Sequence, residues 1–297
     1  MKAVVRSFRL RTIPLSLSPG MVGIFIARDT GCFKWSVCLF LLLTIVSLQI
    51  LSNLANELGD WKKGTDREQS GRQALSLQKG NLTVYAFQYI IGFFVLLCAV
   101  FGVFLIYFSF GTLFTREPLL FLALGALTIA AAVYYSLGRR PYGYYGLGDL
   151  SVFLFFGIVG VVGSYYLLCK EIVPEIFLPA VSMGLLITGV LNVNNIRDID
   201  NDACFGKNTF ALFLCRKFGK DASTSPAKWY QAGLLTGALA ASVVYAFIAD
   251  HGNFLFLLSI PLLVFHTVKL WKGKGAQLDS AFKILVAGVL LYALLLF

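Results

Sequence analysis

Nine apolar segments, each about as long as a bilayer is thick, decide which architectures are open to this 297-residue chain. They run over 12–27, 35–55, 83–109, 118–137, 149–168, 175–194, 227–249, 254–271 and 278–297. A helix rises 1.5 Å per residue, so about 20 residues cross a hydrocarbon core of about 30 Å. Only 13% of the residues are charged, against 58% hydrophobic. A soluble domain carries about a quarter charged residues. The expectation is an all-α, polytopic membrane protein. Intrinsic disorder, a disulfide scaffold and a coiled coil are excluded. The first segment is the weakest, because Pro14 and Pro19 interrupt it and Lys2, Arg6, Arg9 and Arg11 precede it, as in a signal peptide. No small-residue cleavage site follows, so it reads as a helix.

The net charge is +10. In a soluble protein that would suggest nucleic acid; in a membrane protein, basic residues gather in cytoplasmic loops. With the N-terminus inside and the C-terminus outside, Lys and Arg divide 21 to 4 in favour of the cytoplasm. No nucleic-acid partner is expected. The outside loops (28–34, 110–117, 169–174, 250–253) are short, whereas inside loops 56–82 and 195–226 are long and charged. A polar site therefore belongs on the cytoplasmic side. The six cysteines form no CxxC pair and read as small core residues. His251 and His266 have no zinc-like spacing.

The chain carries an internal echo. The second segment ends in Asn53-Leu-Ala-Asn56-Glu57 and the sixth in Asn192-Val-Asn-Asn195. Each leads into acidic residues and then a Lys/Gly/Thr stretch, Lys63-Gly64-Thr65 and Gly206-Lys207-Asn208-Thr209. This suggests a single transmembrane domain, 1–297, built from two related halves, roughly 1–137 and 138–297, that offer acidic helix ends to one shared site.

Asn53, Glu57 and Asp60 share one helical face, and Asn56 and Asp60 stand one turn apart, with Asp66 further on. In the second half the set is Asn192, Asn195, Asp198 and Asp202. Neighbouring carboxylates at a membrane helix end repel one another and need a cation or water. Oxygen-only ligands favour Mg²⁺, which is held by one or two carboxylates plus substrate phosphates. Asn56, Glu57, Asp60, Asp66, Asp198 and Asp202 are the candidate metal ligands. With Lys63, Arg67, Arg72, Arg197 and Lys207 beside them, and Asn53 and Asn195, they suit a diphosphate. The bland alternative is a pair of solvated helix ends. A third stretch, Gly138 to Asp149, holds Arg139, Arg140, Tyr142, Tyr144 and Tyr145 among glycines and a proline. Arg140, Tyr142 and Tyr144 can frame an anionic aromatic substrate, or form an interfacial Arg/Tyr belt. Asp149 is a candidate acid or base, or an N-cap of the fifth helix.

Together these residues resemble the UbiA-type intramembrane prenyltransferases, in particular the branch acting on 1,4-dihydroxy-2-naphthoate in menaquinone synthesis. The resemblance rests on Arg11-Thr-Ile-Pro14, Asn53-Leu-Ala-Asn-Glu-Leu-Gly-Asp60 with Lys63-Gly-Thr-Asp66, Pro141-Tyr-Gly-Tyr with Gly146-Leu-Gly-Asp149, and Asn194-Asn-Ile-Arg-Asp198-Ile-Asp-Asn-Asp202 with Gly206-Lys-Asn-Thr209. It implies nine helices around a central cavity in the cytoplasmic membrane, with acids facing the cytoplasm. It implies that a polyprenyl diphosphate ionises with Mg²⁺ help and that the naphthoate ring captures the allylic cation, losing CO₂ to give demethylmenaquinol. Asp60, Asp198, Asp202 and Asp149 are then the catalytic candidates. Two departures stand out: Glu57 replaces the usual aspartate, and Gly64 occupies the place of the motif's last aspartate. Other readings are a related transferase taking 4-hydroxybenzoate, homogentisate or a chlorophyllide, and an ion-coupled transporter. In a transporter the acids would lie in mid-helix.

Overall fold

A helix that is apolar on every side satisfies its own backbone and can be covered only by protein or by lipid. The computed structural model describes residues 2–65, 76–80, 82–220, 223–249 and 253–296. Among these, nine helices are long and apolar enough to cross a membrane, and no strand occurs. The long helices and their companions are α1 (Ile13–Asp29), α2 (Trp35–Lys63), α3 (Val84–Phe110), α4 (Arg116–Tyr134), α5 (Gly148–Cys169) and α6 (Phe177–Arg197). Two short helices follow, α7 (Ile199–Cys204) and α8 (Phe210–Phe218), then α9 (Ser225–Ile248), α10 (Ile260–Lys272) and α11 (Leu278–Leu295). The nine apolar segments read from the sequence each coincide with one long helix. α4 buries Pro118 alone among its described residues, while Leu119, Leu120 and Leu127 are exposed. That pattern suits lipid and not water.

The chain divides into two compact units. One takes the described residues up to Tyr142 together with Gly163–Ile172; the other takes Gly143–Val162 and the chain from Val173 onward. In the first unit α2 and α3 meet along an apolar seam, with Ile50, Leu51, Leu54 and Leu58 of α2 against Phe87, Ile91, Phe94 and Cys98 of α3. The i, i+4 spacing on α2 leaves its opposite positions for polar work. α2 has 29 residues, a length of about 43 Å. The hydrocarbon core takes about 30 Å of that, so its final turns reach the membrane edge. These turns carry Asn53 to Lys63.

At the far end of this unit, Lys170 closes α5 in a left-handed conformation, φ 66°. Its Nζ donates to the Leu167 carbonyl at 2.9 Å and to the Ser109 hydroxyl, and lies 3.6 Å from the Phe110 ring centroid. Burial, with Lys34 adding repulsion, pushes this amine down to about 8. Between pH 8 and 10.5 the unfolded chain then holds the proton that the folded chain has released, so stability rises with pH across that window. Lys170 is half-buried, and solvent screening leaves an effect on the order of 1 kcal/mol. The thermal midpoint of the purified protein, referenced to Lys170→Met, should climb between pH 8 and 10.5. Parallel curves would refute this assignment.

In the second unit α6 is the central helix, packing on α9 and α11. A buried polar chain crosses it. Asn192 Nδ2 donates to the Ala227 carbonyl (3.0 Å) and Gln231 Oε1 (2.9 Å). Gln231 Nε2 lies 3.3 Å from His266 Nε2, and His266 Nδ1 lies 2.9 Å from the Ala281 carbonyl. Polar side chains in apolar surroundings hold helices together because their alternative is an unmet hydrogen bond. Lys228, also buried, donates to the carbonyls of Trp271 and Gly273 at the end of α10.

Candidate active site

The acidic end of α2 is built by its neighbours. Asn53 Nδ2 donates to the Phe8 carbonyl (2.9 Å) and the Thr12 hydroxyl (3.1 Å), and its Oδ1 accepts from Gln49 (3.2 Å). This ties the Arg11–Pro14 stretch to α2. One turn on, Asn56 Oδ1 accepts from the Ser136 hydroxyl at 2.6 Å. Glu57 is fully buried; its Oε1 accepts from the Leu77 amide at 2.9 Å, and its Oε2 is buried with no hydrogen-bond partner among the described residues. The longer glutamate arm is thus used to reach a backbone amide. Asp60 is buried at the same end and Lys63 is exposed. Gly59, between them, touches the backbone of Ser136 so closely that an added Cβ would lie 2.4 Å from the Ser136 carbonyl oxygen.

Gly64 ends α2 with φ 83°. Glycine takes that left-handed conformation without a Cβ penalty. Here lies the physical reason for one departure from the family pattern: the position that ends the helix is a glycine position. Asp66, Arg67 and Arg72 lie outside the described residues.

In the second unit, α6 ends at Arg197. Asp198 interrupts the helix with φ −97° and ψ 10°, and α7 resumes at Ile199. The Asp202 amide still donates to the Asp198 carbonyl at 2.8 Å, which keeps the two acids one turn apart. Arg197 clasps Asp198 through Nε at 2.9 Å and an Nη at 2.8 Å, and its other Nη lies 3.8 Å from Asp279. Lys207 Nζ stands 3.3 Å from the buried Asp202 carboxylate and 5.6 Å from the Tyr144 ring centroid. The Asn208 amide donates to the Tyr144 carbonyl at 3.0 Å. Tyr144, from the acceptor set, and Lys207, from the diphosphate set, are therefore neighbours. Asn195 is buried on α6, and Asp200 is exposed.

Asp149 is buried, and neither carboxylate oxygen makes a hydrogen bond of standard geometry. The Tyr230 phenol lies within interaction range of it. Asp149 sits in the first turn of α5 and does not cap it; Leu147 holds the N-cap position. Tyr142 belongs to the first unit, where its hydroxyl donates to the Ala131 carbonyl at 2.9 Å and its ring meets Tyr135 edge-on. Arg140 is exposed. Its neighbour Arg139 lines, with Lys62 and Gln88, a groove of about 400 Å³ floored by Leu58, Ile91 and Leu137.

The sequence reading missed Ser136, the Leu77 amide, Tyr230 and Asp279. Asp279 had a local signal, an i, i+4 pair with Lys283 at 2.7 Å. The others are brought in by packing. Among the described residues no three His, Cys, Asp or Glu side chains converge into a ready-made metal nest. The donors present are oxygens, and Glu57 Oε2 is a buried oxygen in need of a partner. This fits Mg²⁺, which takes few protein ligands and completes its shell with phosphate and water.

Lipid-facing helices, with acid-bearing ends that each carry basic residues, define a polytopic membrane protein. The UbiA prenyltransferase family matches residues 16–294, and the chain belongs to that family. It is 40% identical over 265 residues to the 1,4-dihydroxy-2-naphthoate octaprenyltransferase of Escherichia coli K12, covering 89% of this chain and 83% of that one. The fold is shared with the apo structure of a UbiA homolog from Aeropyrum pernix K1, with TM-score 0.69, 16% identity and 95% of each chain covered. It is also shared with a UbiA homolog from Archaeoglobus fulgidus bound to DMAPP and Mg²⁺, with TM-score 0.60 and 16% identity, covering 99% of this chain and 98% of that one.

Proposed function

We propose that this membrane prenyltransferase moves a polyprenyl chain from polyprenyl diphosphate to 1,4-dihydroxy-2-naphthoate, releasing CO₂ and diphosphate and giving demethylmenaquinol. The observation that carries the reading is the 40% identity to the E. coli naphthoate enzyme over 89% of the chain. The acid-bearing helix ends agree with it.

The allylic carbon–oxygen bond breaks and a carbon–carbon bond forms at the ring carbon bearing the carboxylate. The electron pair released with CO₂ restores the aromatic ring. Asn56, Glu57, Asp60 and Asp66 in the first half, and Asp198 and Asp202 in the second, hold Mg²⁺ in this reading. When bound, the metal supplies positive charge to the departing diphosphate. The chain adds its own cations, Lys63, Arg67, Arg72, Arg197 and Lys207, with Asn195 as a donor. Asn53 contributes by anchoring the Arg11–Pro14 stretch, since its amide is committed to Phe8 and Thr12. Arg140 and Tyr144 meet the acceptor. Tyr142 holds the loop that carries them, through its bond to Ala131. Asp149 holds a proton from the acceptor hydroxyls in this reading. A site walled by apolar helices keeps water from quenching the allylic cation.

The same reading makes the chain one transferase domain of two halves, 1–137 and 138–297. It places the protein in the bacterial cytoplasmic membrane with the N-terminus inside, the C-terminus outside and the acids facing the cytoplasm. The 21-to-4 division of Lys and Arg supports that orientation. To test the reaction, purified protein is incubated with a polyprenyl diphosphate and 1,4-dihydroxy-2-naphthoate. Product and CO₂ are followed by mass spectrometry, with Mg²⁺ and with EDTA. Turnover should require Mg²⁺ and release CO₂ with no transmembrane gradient. Product only with 4-hydroxybenzoate or homogentisate would overturn the acceptor. Silence with every acceptor would return the transporter reading.

A further inference from the structure

Two cysteines meet at the end of the first unit remote from the acids. Cys32 follows the last turn of α1: its amide donates to the Ala27 carbonyl at 2.8 Å, and Gly31 before it has φ 80°. Cys169 is the last residue of α5, closed by Lys170 in the left-handed region. Both thiols therefore stand on capped helix ends, and α1 packs on the final turns of α5. The Thr30 hydroxyl lies 3.6 Å from Cys32 Sγ and 3.4 Å from Cys169 Sγ, so a single hydroxyl bridges the two thiols. The Thr30 hydroxyl is held in turn by the Ala27 carbonyl at 3.0 Å. Cys38 and Cys98, by contrast, are buried. Cys32 and Cys169 are both partly exposed. Partial exposure lets a dissolved oxidant reach both thiols.

We propose that Cys32 and Cys169 are a redox-active dithiol that closes reversibly to a disulfide, stapling the end of α1 to the end of α5. The oxidant is a second disulfide, such as an oxidised protein dithiol. The Cys32 or Cys169 thiolate attacks one of its sulfurs and expels the first oxidant thiol, and the other cysteine's thiolate attacks the protein sulfur of the resulting mixed disulfide and expels the second. The two cysteines lose two electrons and two protons in total, and the oxidant gains them. On the orientation proposed above, this end of the helices faces the oxidising compartment, where such bonds persist. Asn53 lies 18 residues beyond Trp35 on α2, about 27 Å along the axis, so the pair is separate from the acid cluster.

The test uses the full chain in detergent. It is equilibrated with oxidised and reduced dithiothreitol, quenched with acid, alkylated with N-ethylmaleimide, digested and weighed. Cys32 and Cys169 should lose alkylation together and appear as one cross-linked peptide, two hydrogens lighter. In Cys32→Ser, Cys169 should stay alkylable at every redox ratio. Independent alkylation of the two in oxidised dithiothreitol, or pairing of either with another cysteine, would overturn the proposal. A second arm treats intact, reduced cells with a membrane-impermeant maleimide. Labelling of Cys32 from outside supports the compartment assigned to the bond. No labelling, with the bond still closing in purified protein, overturns the orientation and that compartment but leaves the dithiol standing.

Discussion

Asp198→Ala should lower prenyl transfer by about 10³-fold, about 4 kcal/mol of lost transition-state stabilisation, while the protein still inserts and elutes as the wild type does. The carboxylate has two duties. Both its oxygens are engaged by Arg197, whose side chain is largely buried. In the proposed reaction it also faces the metal. In that reading, removing it takes away a ligand and leaves a guanidinium whose other acidic partner among the described residues is the more distant Asp279, at 3.8 Å. Asp60→Ala should cost a similar factor. Asp200, two residues away and exposed, gives the control: Asp200→Ala should keep wild-type turnover. The measurement is turnover by mass spectrometry at saturating substrates, with elution profile as the check on folding. Retained activity in a well-folded Asp198→Ala protein would remove this residue from the site.

The second large effect is expected from a residue with no functional group. Gly59→Val should cut turnover by about 10²-fold and destabilise the protein by about 1–3 kcal/mol. The new Cβ would stand 2.4 Å from the Ser136 carbonyl oxygen and 2.8 Å from its carbon. Those are backbone atoms, so no rotamer change relieves the clash. α2 and the chain after α4 must separate, which strains the 2.6 Å bond from Ser136 to Asn56 and moves Asp60. Gly92→Ala on α3 tests whether any helical glycine would behave so: nothing lies within 4 Å of its added Cβ, and it should be silent. Thermal midpoint and turnover measured on both variants separate a packing effect from a general loss of helix quality. Equal behaviour of the two would refute the clamp.

Much of this fold was legible from hydropathy alone. Apolar length is a local property, and a bilayer imposes one length on every crossing helix, so nine segments became nine long helices. The acid motifs were legible for a similar reason: spacing along one helix sets which residues share a face. Asp198 and Asp202 stay one turn apart even though the helix breaks at Asp198, because the Asp202 amide still reaches the Asp198 carbonyl. The family resemblance rested on these same local strings.

Partners were a different matter. Asn53 read as a diphosphate donor, yet its amide is spent on Phe8 and Thr12. Tyr142 read as an acceptor contact, and its hydroxyl also donates to the Ala131 carbonyl, a partner no local spacing announced. Glu57 read as a substitute for aspartate, and its extra methylene proves to reach the Leu77 amide, 20 residues on. Cys32 and Cys169 read as separate core residues, although Thr30 joins them across 137 positions of chain. The residue types and their spacing on each helix already specified a membrane enzyme with two acidic helix ends. Which of those polar atoms are left for chemistry is a question of hydrogen bonds between residues far apart in the chain. In an apolar interior every such bond is strongly preferred to an unmet one, so packing of the helices, and not local sequence, assigns each polar group to structure or to the site.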